Sequence, residues 1–174
     1  MNDMDGVDAP GFSSASWTFD VSSAAILTGI QIDLAALGNF EASAGDGFTI
    51  EAQLDGSGYV EIFRAQTLQG AVKLYRPFDN GVSITDNDPL ELYIDGLATG
   101  ILLDKSDSAS GWFDTYASTL LAGSAGSTLD IRVSWMGSPS GSDTMGLDNI
   151  VVNGVSAIPE PKALVMFFPV LIGT

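Results

Sequence analysis

Apolar and polar residues alternate strictly along several stretches of this sequence. In one of them Ile30, Ile32 and Leu34 are separated by single polar residues. The same pattern occurs in three further stretches, residues 48–54, 90–94 and 129–135. Because successive side chains of a β-strand point to opposite faces, this period of two predicts strands with one buried face and one solvated face. Further strands are expected at residues 17–19, 59–63, 70–74, 97–103 and 147–152.

Turn signals separate these stretches. Asp55-Gly56, Asp95-Gly96 and Asn153-Gly154 are dipeptides that readily adopt the positive φ angles of hairpin turns. The best candidate for a helix is the segment 111–122. About eight to ten short strands joined by tight turns predict an all-β fold, an antiparallel β-sandwich of jelly-roll type.

The charge balance and the missing residue types exclude several classes of function. The chain has 22 acidic and 6 basic residues, which argues against binding to nucleic acid. It has no His and no Cys, which excludes a Ser-His-Asp triad, a Cys nucleophile and the usual zinc and iron–sulfur sites. A hydrophobic fraction of 45% separates the chain from disordered acidic segments. Carboxylates are the ligands that hard cations prefer, so hard cations are the expected partners of this charge.

Three acidic clusters are candidate calcium ligands. They are Asp33 with Glu41 and Asp46, Asp143 with Asp148, and Asp3 with Asp5 and Asp8. Calcium takes about six to eight oxygen ligands, often from flexible loops. Asp is also common in turns, where it only stabilises the local backbone, and this simpler interpretation applies to most isolated Asp residues.

Two segments resemble a group of exported bacterial jelly-roll domains, whose pattern opens with "ID…G.FE…D.f.i…DG" and closes with "E…FDNi.v.g". They are residues 27–56, LTGIQIDLAALGNFEASAGDGFTIEAQLDG, and residues 142–154, SDTMGLDNIVVNG. The matching residues are Ile32, Asp33, Gly38, Phe40, Glu41, Asp46, Asp55, Gly56, Asp148, Asn149 and Ile150, while Asp143 and Leu147 replace the family's Glu and Phe. Such domains resemble carbohydrate-binding modules and often hold a structural calcium. The resemblance therefore implies a Ca²⁺ site formed by Glu41, Asp46, Asp143 and Asp148.

The composition changes after the expected domain, residues 1–157. Residues 158–174 comprise a hinge with Pro159-Glu160-Pro161 and an apolar segment, 163–174. Together they resemble the start of a PEP-CTERM sorting signal, which implies export. The apolar segment is shorter than the ~20 residues that a membrane-spanning helix needs, so no stable span is expected. The side chains expected to bind a partner are Leu164, Val165, Phe167, Phe168, Val170, Leu171 and Ile172.

These observations predict a secreted or cell-surface structural or adhesive protein that is stabilised by calcium and is not an enzyme. An exposed apolar strand promotes aggregation unless it is covered, and donation to the open sheet edge of a neighbouring subunit would cover it and build a homo-oligomer or filament. The segment could instead pack within its own domain or be a clipped membrane anchor. A module that binds polysaccharide through an aromatic platform is the main alternative function. A glycoside-acting enzyme, with two carboxylates about 5–9 Å apart in a cleft, is the third.

Overall fold

The computed structural model describes residues 14–36, 45–67, 73–75, 84–87, 90–103, 114–137 and 145–156. These residues form strands and the turns between them, with no helix among them. The strands are β1 (Ser14–Asp20), β2 (Ala24–Ala36), β3 (Gly47–Leu54), β4 (Val60–Thr67), β5 (Lys73–Tyr75), β6 (Ile84–Asn87), β7 (Leu90–Ile94), β8 (Ile101–Leu103), β9 (Asp114–Ser118), β10 (Thr128–Met136) and β11 (Met145–Ser156).

Two antiparallel sheets enclose the core. One has six strands in the order β1-β10-β3-β4-β7-β8, and the other has three in the order β11-β2-β9. Strands β5 and β6 pair separately as a two-stranded sheet. A single cluster of buried apolar side chains draws on both larger sheets. The predicted all-β fold is therefore confirmed as an antiparallel sandwich, and its jelly-roll type stays a prediction.

The period-two pattern places alternate side chains in the core, as β10 illustrates. Leu129, Ile131 and Val133 are fully buried, while the residues between them are partly exposed. Trp135 continues the buried side of the strand and packs edge-on against Phe48, with 6.3 Å between the ring centroids. Trp135 is therefore a core residue, as its place in the alternation predicted.

Two of the three predicted hairpin turns are present. The φ angles are 48° and 73° at Asp55 and Gly56, and 53° and 70° at Asp95 and Gly96. Consecutive positive φ angles are the geometry of a type I′ turn, which matches the twist of the flanking strands.

The Asp95 side chain also links the two sheets. Its carboxylate accepts hydrogen bonds from the Ser118 hydroxyl and, at 2.8 Å, from the Thr119 backbone N–H. Asp95 follows β7 in the six-stranded sheet, and Ser118 ends β9 in the three-stranded sheet. Asp95 therefore has two roles: it adopts the positive φ of the turn, and its carboxylate joins the two sheets.

Replacement of Asp95 by Ala should destabilise the protein by about 2 kcal/mol, because it removes charge-assisted hydrogen bonds between the sheets and places Ala at a positive φ. Urea unfolding measures this change. Asp95→Asn is the matched control, since Asn tolerates a positive φ and keeps one acceptor oxygen, and we expect it to lose less stability. Equal stability of Asp95→Ala and the parent would contradict the role of this carboxylate.

Three sequence expectations are wrong. The strand expected at 97–103 begins only at Ile101, and residues 95–100 form the turn and bend that follow β7. Asn153-Gly154 lies inside β11 at a register shift rather than in a turn, and a Cβ on Gly154 would lie 2.8 Å from the Cβ of Ala24. Gly is needed there because the two strands approach closely. The helix expected at 111–122 is replaced in its described part by β9 and a turn. In β9 burial alternates along the strand, so its period is two rather than that of a helix.

Candidate functional site

Two crossover connections link the two larger sheets. The chain leaves β2 at Ala36 and re-enters the other sheet at Gly47, and it leaves that sheet at Met136 and re-enters the first at Met145. Ala36 pairs with Met145, and Gly47 pairs with Met136. The two connections are therefore neighbours at both of their ends. The four predicted calcium ligands belong to these connections or to the strands that begin directly after them.

Only two of those four ligands lie in the described residues. Asp46 directly precedes β3 and is 2% exposed, a degree of burial at which a carboxylate needs hydrogen bonds, an opposite charge or a metal ion. Asp148 is the fourth residue of β11 and is exposed. Glu41 and Asp143 lie outside the described residues. Among the residues that are described, no three acidic side chains are grouped closely enough to hold a metal ion by themselves.

Asp148 faces a second carboxylate on the outer surface of the three-stranded sheet. It pairs directly with Asp33 of β2, and paired residues of an antiparallel ladder project to the same face. Asp33 accepts hydrogen bonds from the Thr115 hydroxyl at 2.6 Å and from the Asn149 side-chain amide at 2.8 Å. Like charges in paired positions repel, and the Asp148 carboxylate accepts a hydrogen bond from the Asn149 backbone N–H at 2.8 Å.

A β-bulge positions the Asn149 amide. The register shifts between Asp148 and Val151, and Asn149 has a φ of 46°, which Asn tolerates better than most residues. Asp148 and Asn149 match the closing pattern of the exported jelly-roll domains that the sequence resembles. That pattern does not indicate a contact between Asn149 and Asp33. That contact joins residues 116 positions apart and depends on the strand pairing.

The sandwich is open along one flank, where β1 and β11 are the outermost strands of their sheets in the described structure. In β1 the side chains that point inward, including Trp17 and Phe19, are only partly buried. In β11 the inward Ile150 and Val152 are partly buried as well, whereas the inward residues of the central strands are almost fully buried. The described residues therefore leave the apolar core without complete cover between β1 and β11.

A groove of about 430 Å³ lies on this flank. One wall is the end of β1 with Phe19, and a second is the turn into β2 together with the start of β2, which contributes Leu27. The C-terminal half of β11, with Val152, forms the third wall. Asp20 lies at its margin, where hydrogen bonds from the Ser22 hydroxyl and N–H lower the pKa of the Asp20 carboxyl. The sequence did not reveal this groove, because no local pattern identifies the strands that end up at sheet edges. The seven apolar residues predicted to bind a partner lie outside the described residues.

The outer face of the six-stranded sheet carries two tyrosine–arginine pairs. The Arg132 guanidinium lies 4.0 Å from the ring centroid of Tyr59 and forms an ion pair of 2.7 Å with Glu51. The Arg64 guanidinium lies 5.6 Å from the ring centroid of Tyr93. Aromatic rings beside polar groups are suited to stacking on a sugar, although one side of each ring already faces a guanidinium.

Comparison with other proteins gives no identification. No family model, no curated protein and no solved structure matches this chain. In the part of the chain that the structure describes, no helix has the length and apolar character needed to cross a membrane. The function therefore has to be argued from the open flank, the acidic connections and the polar sheet face.

The pKa of Tyr116 in β9 is raised for a clear physical reason. Burial, together with the charge of Asp114 and a hydrogen bond to it, raises the pKa of Tyr116 to about 12. The ring packs against the core from the three-stranded sheet. Its hydroxyl therefore resists ionisation in the folded protein.

Stability should fall between pH 10 and pH 12. The pKa of Tyr116 is raised in the folded state, so its contribution is complete below the unfolded value of about 10 and is lost as the pH rises through the folded value. Because the ring is only half-buried, we expect a loss on the order of 1 kcal/mol. Urea unfolding at pH 8 and pH 11 tests this, with Tyr116→Phe as the control. The parent should lose more stability than Tyr116→Phe, and equal losses would contradict the assignment.

Proposed function

We propose that this protein is a secreted or cell-surface structural protein, stabilised by calcium, that assembles into filaments by donating its apolar segment 163–174 to a neighbouring subunit. The open flank between β1 and β11 carries this proposal. It combines a strand edge that is unpaired within the described residues with incompletely buried apolar side chains, the two features that an added strand satisfies. A contact in which one copy gives a strand and the next receives it is head-to-tail, and it extends without closing.

The proposed calcium site is supported by the crossover connections. Both connections begin and end beside each other, and they include or adjoin Glu41, Asp46, Asp143 and Asp148. The opposed carboxylates of Asp33 and Asp148 add to the negative charge nearby. A bound Ca²⁺ would supply the positive charge that offsets their repulsion and would hold the two connections together.

Sedimentation velocity of the whole chain in calcium tests the proposed function. Species larger than a dimer should appear and increase with protein concentration, because open head-to-tail assembly has no fixed size. A single monomeric species at all concentrations would contradict the proposal.

A polysaccharide-binding module is the second candidate, and the tyrosine–arginine pairs on the six-stranded sheet favour it. Affinity electrophoresis in gels that contain neutral or acidic polysaccharides distinguishes the two proposed functions. Retardation that Tyr59→Ala removes, in a protein that stays monomeric, would favour the module over the filament.

A further inference from the structure

We propose that the groove between β1 and β11 is the acceptor site for residues 163–174 of a second copy, which would pair with the outer edge of β11, where the described part of the chain places no strand. This inference rests on the proposed assembly and names the surface that receives the strand. The groove is lined by Phe19, Leu27, Ile150 and Val152. A strand bound in the groove would complete the burial of the partly buried Phe19, Ile150 and Val152.

The length and the composition of the donor segment fit this edge. Strand β11 has 12 residues, and the segment 163–174 is long enough to pair along all of it. The segment has no charged residue, so its burial against the apolar groove leaves no ion without a partner. Pro169 has no N–H and is tolerated in a strand where that position faces away from the ladder. The N–H groups of Phe168 and Val170 would then point toward β11.

A second copy is favoured over the chain's own tail by residues 157–162. Antiparallel pairing with its own β11 would require the chain to reverse direction within these six residues. Pro159 and Pro161 disfavour the helical region at Ile158 and Glu160, the residues that precede them, and favour extended backbone. If the extended backbone of this hinge carries the segment on in the direction of β11, the segment reaches a neighbour rather than its own flank.

The chain has no Cys, so engineered disulfides test this contact cleanly. The acceptor copy is full length and carries Ser23→Cys, a small change at an exposed position in the groove wall. The donor copy is also full length and carries either Ala163→Cys or Leu164→Cys, because antiparallel pairing along all of β11 would place these residues beside Ser156, which pairs with Ala24 next to Ser23. Adjacent side chains of a strand point to opposite faces, so one of the two donors should cross-link to the acceptor far better than the other. The matched control acceptor carries Thr99→Cys, which is exposed beside β8 at the opposite edge of the six-stranded sheet.

The expected result is a disulfide-linked pair of donor and acceptor with Ser23→Cys, at least tenfold more abundant than with Thr99→Cys. Equal cross-linking to both acceptors, in a protein that still assembles, would overturn the groove assignment and leave the filament intact. A monomeric disulfide in one chain with Ser23→Cys and a tail Cys, but none between copies, would overturn the second copy as occupant. Absence of assembly in the full-length parent would instead contradict the proposed function itself.

Discussion

Calcium at about a hundred times its dissociation constant is expected to stabilise the folded protein by about 2.7 kcal/mol, because the ion binds the folded state and not the unfolded chain. For a chain of this length the stabilisation corresponds to a rise of about 5–10 °C in the melting temperature. Asp148→Ala should remove most of that rise. Asp148 is exposed and pairs with Asp33, so its replacement removes a carboxylate and leaves no buried cavity.

Asp130→Ala is the matched control for this measurement. Asp130 is also an Asp within a strand, and it accepts a hydrogen bond from the Thr18 hydroxyl at 2.6 Å. It lies on the six-stranded sheet, away from the crossover connections, so its calcium response should equal that of the parent. An unchanged calcium response in Asp148→Ala, measured by differential scanning calorimetry, would show that the ligand assignment is wrong.

Removal of the apolar segment is expected to abolish assembly and leave the domain folded. The segment contains eight large apolar side chains, and their burial contributes on the order of 10 kcal/mol before the cost of ordering the chain. A protein of residues 1–158 should keep its β-type circular dichroism and sediment as a monomer. An added peptide of residues 163–174 should occupy the flank of the truncated protein without restoring polymers.

Phe168→Asp and Phe167→Asp in the full-length chain are the controls that preserve length. Of Phe168→Asp and Phe167→Asp, the one that places its carboxylate in the apolar groove should also impair assembly, because that carboxylate would be buried without an opposite charge. Two outcomes would contradict donation. Normal polymerisation of residues 1–158 would exclude the tail from assembly, and unfolding of residues 1–158 would identify the tail as a core strand of its own domain.

Much of the fold follows from local sequence because each main strand is buried on one face only. Leu129, Ile131 and Val133 alternate with polar residues for this reason, and the alternation located β10 almost to the residue. Asp95-Gly96 located a turn because few other dipeptides accept two positive φ angles. Asn153-Gly154 wrongly predicted a turn, because Gly is also required where two strands approach too closely to leave space for a Cβ.

The candidate site was less accessible to sequence reasoning, because it depends on strand order. The contact between Asn149 and Asp33, and the groove beside Phe19, exist only because β11 lies beside β2 and at the edge of its sheet. Nothing in the alternation of either strand specifies its neighbours. The acidic residues could be proposed as ligands because of their residue type. That their two connections lie near each other follows only from the pairing of Ala36 with Met145, which the sequence does not show.

Electron microscopy of the purified full-length protein, in millimolar calcium and again after addition of a chelator, tests the central claim most directly. The proposed strand donation and calcium site predict filaments of uniform width in calcium and their loss in the chelator. Dispersed single particles in both conditions, at concentrations where the protein is folded, would contradict assembly by strand donation.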